Sequence, residues 1–120
     1  MPSYRYEIKK YDVRISGNSV EAPHNVRHNK ARIQLYGIKG NSGEAHVGTI
    51  LFHDKDALGK YRDSLYKEVP WGHMRIDDLG AVLDLLRQEK PIYSQWTDGY
   101  KRFSLDTGKE DIGEEGEMFH

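Results

Sequence analysis

The stretch from Asp77 to Glu89 constrains the fold more than any other part of the chain. Its apolar residues recur at intervals of three and four, which places them on one face of an α-helix: they are Leu79, Val82, Leu83 and Leu86. Asp77 or Asp78 can cap the helix, and Pro91 ends it because the residue before a proline is pushed out of helical backbone. We predict an amphipathic helix that needs an apolar surface to pack against.

Segments with alternating apolar residues supply that surface. Tyr4 to Ser16 alternates as a strand does, but its phase switches at Lys9–Lys10, which predicts a β-bulge or sharp bend there. Four further strands are predicted, two around the turn from Gly40 to Gly43 and two around Asp98–Gly99: Arg32–Ile38, Ala45–His53, Pro91–Trp96 and Tyr100–Leu105. His73 to Ile76 adds a short strand.

A second helix is predicted from about Ala57 to Glu68, capped by Asp54 or Asp56. The fold class that follows is α+β: a mostly antiparallel sheet of five or six strands, able to curl toward a barrel, with two helices packed on it. Residues 1–108 form the single domain. Residues 109–120 form an acidic C-terminal tail that is either solvated or docked on the basic first third of the chain.

Composition narrows the setting in which the protein works. The chain has no cysteine, no secretory signal and no apolar run as long as a membrane span, so we expect a cytoplasmic, cysteine-free protein that does not enter membranes. Eight tyrosines and two tryptophans suit wet pockets and interfaces better than a dry aliphatic core. The apolar core of the chain is therefore small. We expect the chain to bury more surface by pairing with a second copy as a homodimer.

The C-terminal third carries a resemblance. Val82 to Tyr93, which reads VLDLLRQEKPIY, and Leu105 to Glu117, which reads LDTGKEDIGEEGE, resemble a pattern in small uncharacterised bacterial proteins. In those proteins a helix ending in Leu-Leu-Arg-x-Glu-Lys-Pro precedes a strand, and a Gly-Glu-rich segment closes the chain. Asp111 stands where that pattern has proline. The resemblance implies a shared fold and carries no known activity with it.

Histidines offer one kind of chemistry. His24 and His28 lie four residues apart in a polar loop, and His53 is followed by Asp54 and Asp56, so a metal-assisted hydrolase is one reading. The loop has no helical pattern and the aspartates are explained as helix caps, so we expect neither a metal site nor a cofactor. His46 and His53 are separated by an odd number of residues and should face opposite sides of a regular strand.

A basic segment suggests a second kind of function. Arg27, Lys30 and Arg32, beside a tyrosine-rich first strand, could bind a nucleotide or a single-stranded nucleic acid. Residues 1–36 hold seven Lys or Arg against three Asp or Glu, but the net charge of the whole chain is −1. Dedicated nucleic-acid binders are usually basic, so we do not favour this alternative.

Four aromatic residues, Trp71, Tyr93, Trp96 and Tyr100, surround the predicted helix and the last hairpin. They could form a ligand pocket, a partner surface or simple core packing. With no sequence motif for catalysis, we expect a small non-enzymatic binding or accessory protein of unknown ligand, whose contact surface includes these aromatics and the basic residues of the loop 23–32.

Overall fold

A computed structural model describes residues 3–16, 30–41 and 43–108. Seven strands and two helices follow one another along these parts of the chain: β1 (Tyr4–Ile15), β2 (Ala31–Ile38), β3 (Glu44–His53), α1 (Lys55–Leu58), β4 (Ser64–Tyr66), β5 (Val69–Arg75), α2 (Leu79–Gln88), β6 (Tyr93–Thr97) and β7 (Arg102–Asp106). A single 3-10 turn, Ile76–Asp78, leads into α2.

The strands form one sheet in the order β4-β5-β3-β2-β1-β6-β7. The predicted α+β class with two helices is confirmed, whereas the expected count of five or six strands is too low. The sheet is mixed because β3 and β5 run parallel, while the other neighbouring pairs are antiparallel. It curls without closing into a barrel.

Strand β1 bends where its alternation changes phase. Ile8 pairs with Gly37 and Lys10 pairs with Tyr36, so Lys9 is an extra residue on β1, as the sequence predicts. The first part of β1 pairs with β6 and the part from Ile8 onward pairs with β2. A Cβ at Gly37 would overlap the carbonyl oxygen of Glu7, so the bend requires glycine there.

The core lies on the inner face of the curled sheet. Ile33, Leu35, Ile50 and Phe52 of the central strands pack with Val82 and Leu86 of α2. Leu79, Leu83 and Leu85 lie partly buried against the same cluster, which confirms the predicted apolar face of this helix. In the part of the chain that the structure describes, no helix has the length and apolar character needed to cross a membrane.

The predicted helix from Ala57 to Glu68 is wrong. Only Lys55–Leu58 is helical, and the backbone then turns at Gly59 into the β4–β5 hairpin. Lys67 and Glu68, at the tip of that hairpin, have φ angles of 51° and 66°, which match a tight hairpin turn. The sequence of such a turn usually contains Asn or Gly, and this turn contains neither.

One carboxylate joins β7, the last strand at one end of the sheet, to β5, the second strand from the other end. Asp63 accepts a hydrogen bond from the backbone N–H of His73 in β5 at 2.9 Å and another from the N–H of Phe103 in β7 at 3.0 Å. The phenyl ring of Phe103 lies so close to Gly72 that a Cβ there would approach it to 2.6 Å. Asp63 therefore holds β7 against β5 where the two strands have no ladder of their own.

Removing the Asp63 carboxylate should loosen this junction. A hydrogen bond to a charged group contributes about 1.5–3 kcal/mol to stability, so we expect Asp63→Ala, which loses two such bonds, to lower the free energy of unfolding by about 3 kcal/mol or more. Asp63→Asn keeps one acceptor oxygen and should lose roughly half as much. Denaturant unfolding measures both, with the exposed Asp56→Asn as control. Equal stability of Asp63→Ala and the control would contradict this role.

Candidate functional site

A cleft of about 570 Å³ opens on the outer face of the sheet, opposite the core. Its floor comes from β3 and β5, and its walls come from β4 and from the segment between α1 and β4. The residues that line it are Leu51, His53, Lys60, Tyr61, Arg62, Ser64, Tyr66, Trp71 and His73. This is the size range of pockets that hold small organic ligands, about 300–1,000 Å³.

Three rings form a stack at the cleft. The rings of His53 and Tyr61 lie 4.1 Å apart between centroids with an interplanar angle of 12°. His73 lies nearly parallel to both, 5.0 Å from His53 and 5.3 Å from Tyr61. The Nε2 atom of His53 and the Nδ1 atom of His73 share a hydrogen bond of 2.8 Å, which fixes both imidazoles.

The sheet register explains how two histidines that are 20 residues apart meet. In the parallel pair of β3 and β5, Leu51 lies beside His73 and His53 lies beside Arg75. His53 and His73 therefore share the outer face as diagonal neighbours. Tyr61 covers His53, which is only 1% exposed. Tyr61 itself also lines the cleft.

A second aromatic group continues from Trp71 across the outer face. The ring of His46 lies 5.9 Å from Trp71 and 6.0 Å from Tyr36. The Nε2 atom of His46 is hydrogen-bonded to the hydroxyl of Thr49 at 2.6 Å, and burial lowers the pKa of His46 below its ordinary value of 6.5. Burial therefore favours the neutral form of His46.

His46 and His53 both face outward, contrary to the expectation from their spacing. The pairing of β2 with β3 shifts by one residue, since Leu35 lies beside Gly48 while Tyr36 lies beside His46. Val47 is the extra residue and its side chain is buried in the core. This β-bulge reverses the alternation and brings His46 to the same side as His53.

The four predicted aromatic residues lie in different surroundings. Trp71 lines the cleft. Trp96 is 3% exposed, whereas Tyr100, in the turn before β7, is 82% exposed. The ring of Tyr93 lies 3.8 Å beneath the guanidinium carbon of Arg5. The structure thus places one of the four at the cleft and the others elsewhere.

The predicted basic and histidine residues are similarly divided. Arg27, His24 and His28 lie outside the described residues. Lys30 lies 3.6 Å from a carboxylate oxygen of Asp54, and Arg32 lies in β2 beside Leu51. Within the described ranges, no group of three or more His, Cys, Asp or Glu residues is arranged to hold a metal ion.

Sequence reasoning missed Tyr61, His73, Lys60 and Arg62 as members of a site. The segment that carries Tyr61 was predicted to be helical, and the parallel pairing that sets His73 beside β3 has no local signature. Comparison with protein-family models, with curated proteins and with solved structures found no match for the chain. The candidate function therefore rests on this geometry.

The lowered pKa of His46 predicts a pH dependence of stability. The unfolded chain binds a proton near pH 6.5 and the folded chain binds it only at lower pH, so protonation favours unfolding. This contribution to stability is complete above pH 6.5 and declines as the pH falls through that value. We expect the wild type to lose more stability than His46→Gln between about pH 7.5 and pH 5.5, measured by denaturant unfolding. Parallel pH profiles for the two proteins would refute the assignment.

Proposed function

We propose that this protein is a non-enzymatic binding protein whose ligand is a small planar molecule with negative charge, held in the cleft at His53 and Trp71. The observation that carries the proposal is the stack of His53, Tyr61 and His73 beside two cationic side chains, Lys60 and Arg62, at one cleft. Each feature of the ligand follows from one feature of this lining.

The parallel aromatic rings at the cleft are the reason for proposing a planar ligand. Tyr61 is held parallel to His53 and His73, so its orientation is fixed before a ligand arrives. Aromatic rings attract one another in offset-stacked arrangements, and a planar ligand that stacks on Tyr61 extends the existing stack by one ring. Because the rings are already ordered, little conformational entropy is lost on binding.

Negative charge of the ligand follows from the balance of the lining. Lys60 and Arg62 flank Tyr61 and both are exposed. None of the described residues that line the cleft carries a carboxylate. The nearby carboxylate of Asp63 already accepts bonds from two backbone N–H groups. A positive field over a ring surface favours a planar anion, and Arg binds phosphate or carboxylate through paired hydrogen bonds.

Nucleotides are planar anions of this kind, so the proposal includes the nucleotide-binding alternative. Its location differs from the one that the sequence suggested, because the cleft is built from residues 51–73 rather than from the loop 23–32. The metal-assisted hydrolase has less support, since the described residues include no group of three or more His, Cys, Asp or Glu arranged to hold a metal ion.

Titration with a matched pair of compounds tests the proposal. Adenosine 5′-monophosphate and adenosine share the planar base and differ in charge, and an aromatic carboxylate such as indole-3-acetate gives a second anion. We expect the anions to change tryptophan fluorescence through Trp71 and to raise the melting temperature, since a ligand that binds only the folded state stabilises it. Adenosine should bind at least tenfold more weakly than its monophosphate.

Charge reversal locates the site. Lys60→Glu with Arg62→Glu should weaken binding of the anions by about tenfold or more, which corresponds to about 1.4 kcal/mol. Lys55→Glu, on the exposed surface of α1 and outside the cleft lining, is the matched control and should change little. If no planar anion binds at about 1 mM, or if Lys55→Glu weakens binding as much as the double variant, the proposal fails.

A further inference from the structure

The outer half of β1 is an open strand edge within the described part of the chain. Strand β6 pairs only with the segment Tyr4–Glu7, while β1 continues to Ile15 along β2. From Tyr11 to Ile15, no described strand lies on the side of β1 away from β2. An open edge of this kind is a template for another strand.

The hydrogen-bond pattern shows which residues face this edge. The N–H of Ser16 donates to the carbonyl of Lys30 at 2.8 Å, which belongs to the β2 side. Antiparallel ladders alternate, so Arg14 and Asp12 also bond to β2. Tyr11, Val13 and Ile15 therefore direct their backbone N–H and C=O groups toward the open edge.

We infer that two copies of this chain associate by pairing these edges antiparallel, with the two-fold axis at Val13. In that register Val13 faces Val13 of the second copy, and Tyr11 faces Ile15 of the second copy. All of these residues direct their polar backbone groups outward, so each facing pair exchanges two hydrogen bonds, about six in total. The two sheets become one continuous sheet.

The side chains fit the same register on both faces. On the core side, Val13 and Ile15 are 38% and 70% exposed in the single chain, and pairing covers them with their counterparts. On the outer side, Asp12 faces Arg14 of the second copy, twice by symmetry. The hydroxyl of Tyr36 donates to Oδ2 of Asp12 at 3.0 Å and so leaves Oδ1 for the arginine.

Charge also disfavours the neighbouring registers. A shift of two residues in one direction would place Asp12 against Asp12 of the second copy, and a shift in the other direction would place Arg14 against Arg14. Like charges directly opposite each other destabilise a strand pair. A shift of one residue would turn the apolar side chains to the wrong face. The edge is therefore self-complementary in one register only.

This interface is independent of the cleft and of its ligand. Strand β1 contributes no residue to the cleft lining. The inference goes beyond the proposed function, and the one can fail without the other.

Sedimentation or light scattering of the full chain tests the inference. At about 100–200 µM, a range suited to small interfaces, we expect twice the chain mass of 13.9 kDa. Asp12→Arg and Arg14→Asp should each raise the dimer dissociation constant at least tenfold, because each creates two like-charge contacts. A mixture of the two variants should recover the dimer, since every contact then joins opposite charges. Arg87→Asp, on α2, is the control and should leave the mass unchanged.

Three results would overturn the inference: a monomeric wild type, single variants that remain dimeric, or a mixture that fails to recover the dimer. Circular dichroism checks that each variant is folded. Hydrogen exchange on the wild type gives an answer that needs no variant. The amides of Tyr11, Val13 and Ile15 should exchange slowly in the concentrated sample and faster on dilution, whereas fast exchange at every concentration would contradict the pairing.

Discussion

The Asp63 carboxylate is the contact on which the outer face depends. It binds backbone N–H groups of β5 and β7 at once, and it belongs to the segment that carries Lys60, Tyr61 and Arg62. The same two hydrogen bonds therefore fix the curl of the sheet and the position of this segment over His53 and His73. The segment 60–62 is thus held in place although it lies outside any helix or strand, and the rest of the site lies on β3, β4 and β5. Together they give the ordered surroundings that a preorganised binding site needs.

Local patterns in the sequence predict much of the fold. The apolar spacing of Leu79, Val82 and Leu86 gives the packed face of α2, and the phase change at Lys9 gives the bend in β1. Both are short-range signals, because helical and strand periodicity act over a few residues. The strands flanking the turns at Gly40 and Gly99 follow for the same reason.

Features that arise from long-range pairing could not be predicted in the same way. The parallel alignment of β5 with β3 depends on neighbours far apart in the chain, and it alone brings His73 to His53. The bulge at Val47 changes the face of the sheet on which His46 lies, and the local alternation of apolar and polar residues does not predict this bulge. Of the residues predicted for a contact surface, Trp71 lies in the cleft because β5 begins at Val69, four residues before the short strand predicted from His73.

The two proposals assign different surfaces to different tasks: the cleft to a planar anion, and the open edge of β1 to a second copy. The cleft is the central claim, and nuclear magnetic resonance tests it most directly. Titration of the labelled chain with adenosine 5′-monophosphate should shift the ring signals of Tyr61 and Trp71 and the backbone signals of residues 60–73, with little change in α2 or β1. Shifts spread over α2 and β1, or no shifts at saturating nucleotide and aromatic carboxylate, would contradict the account.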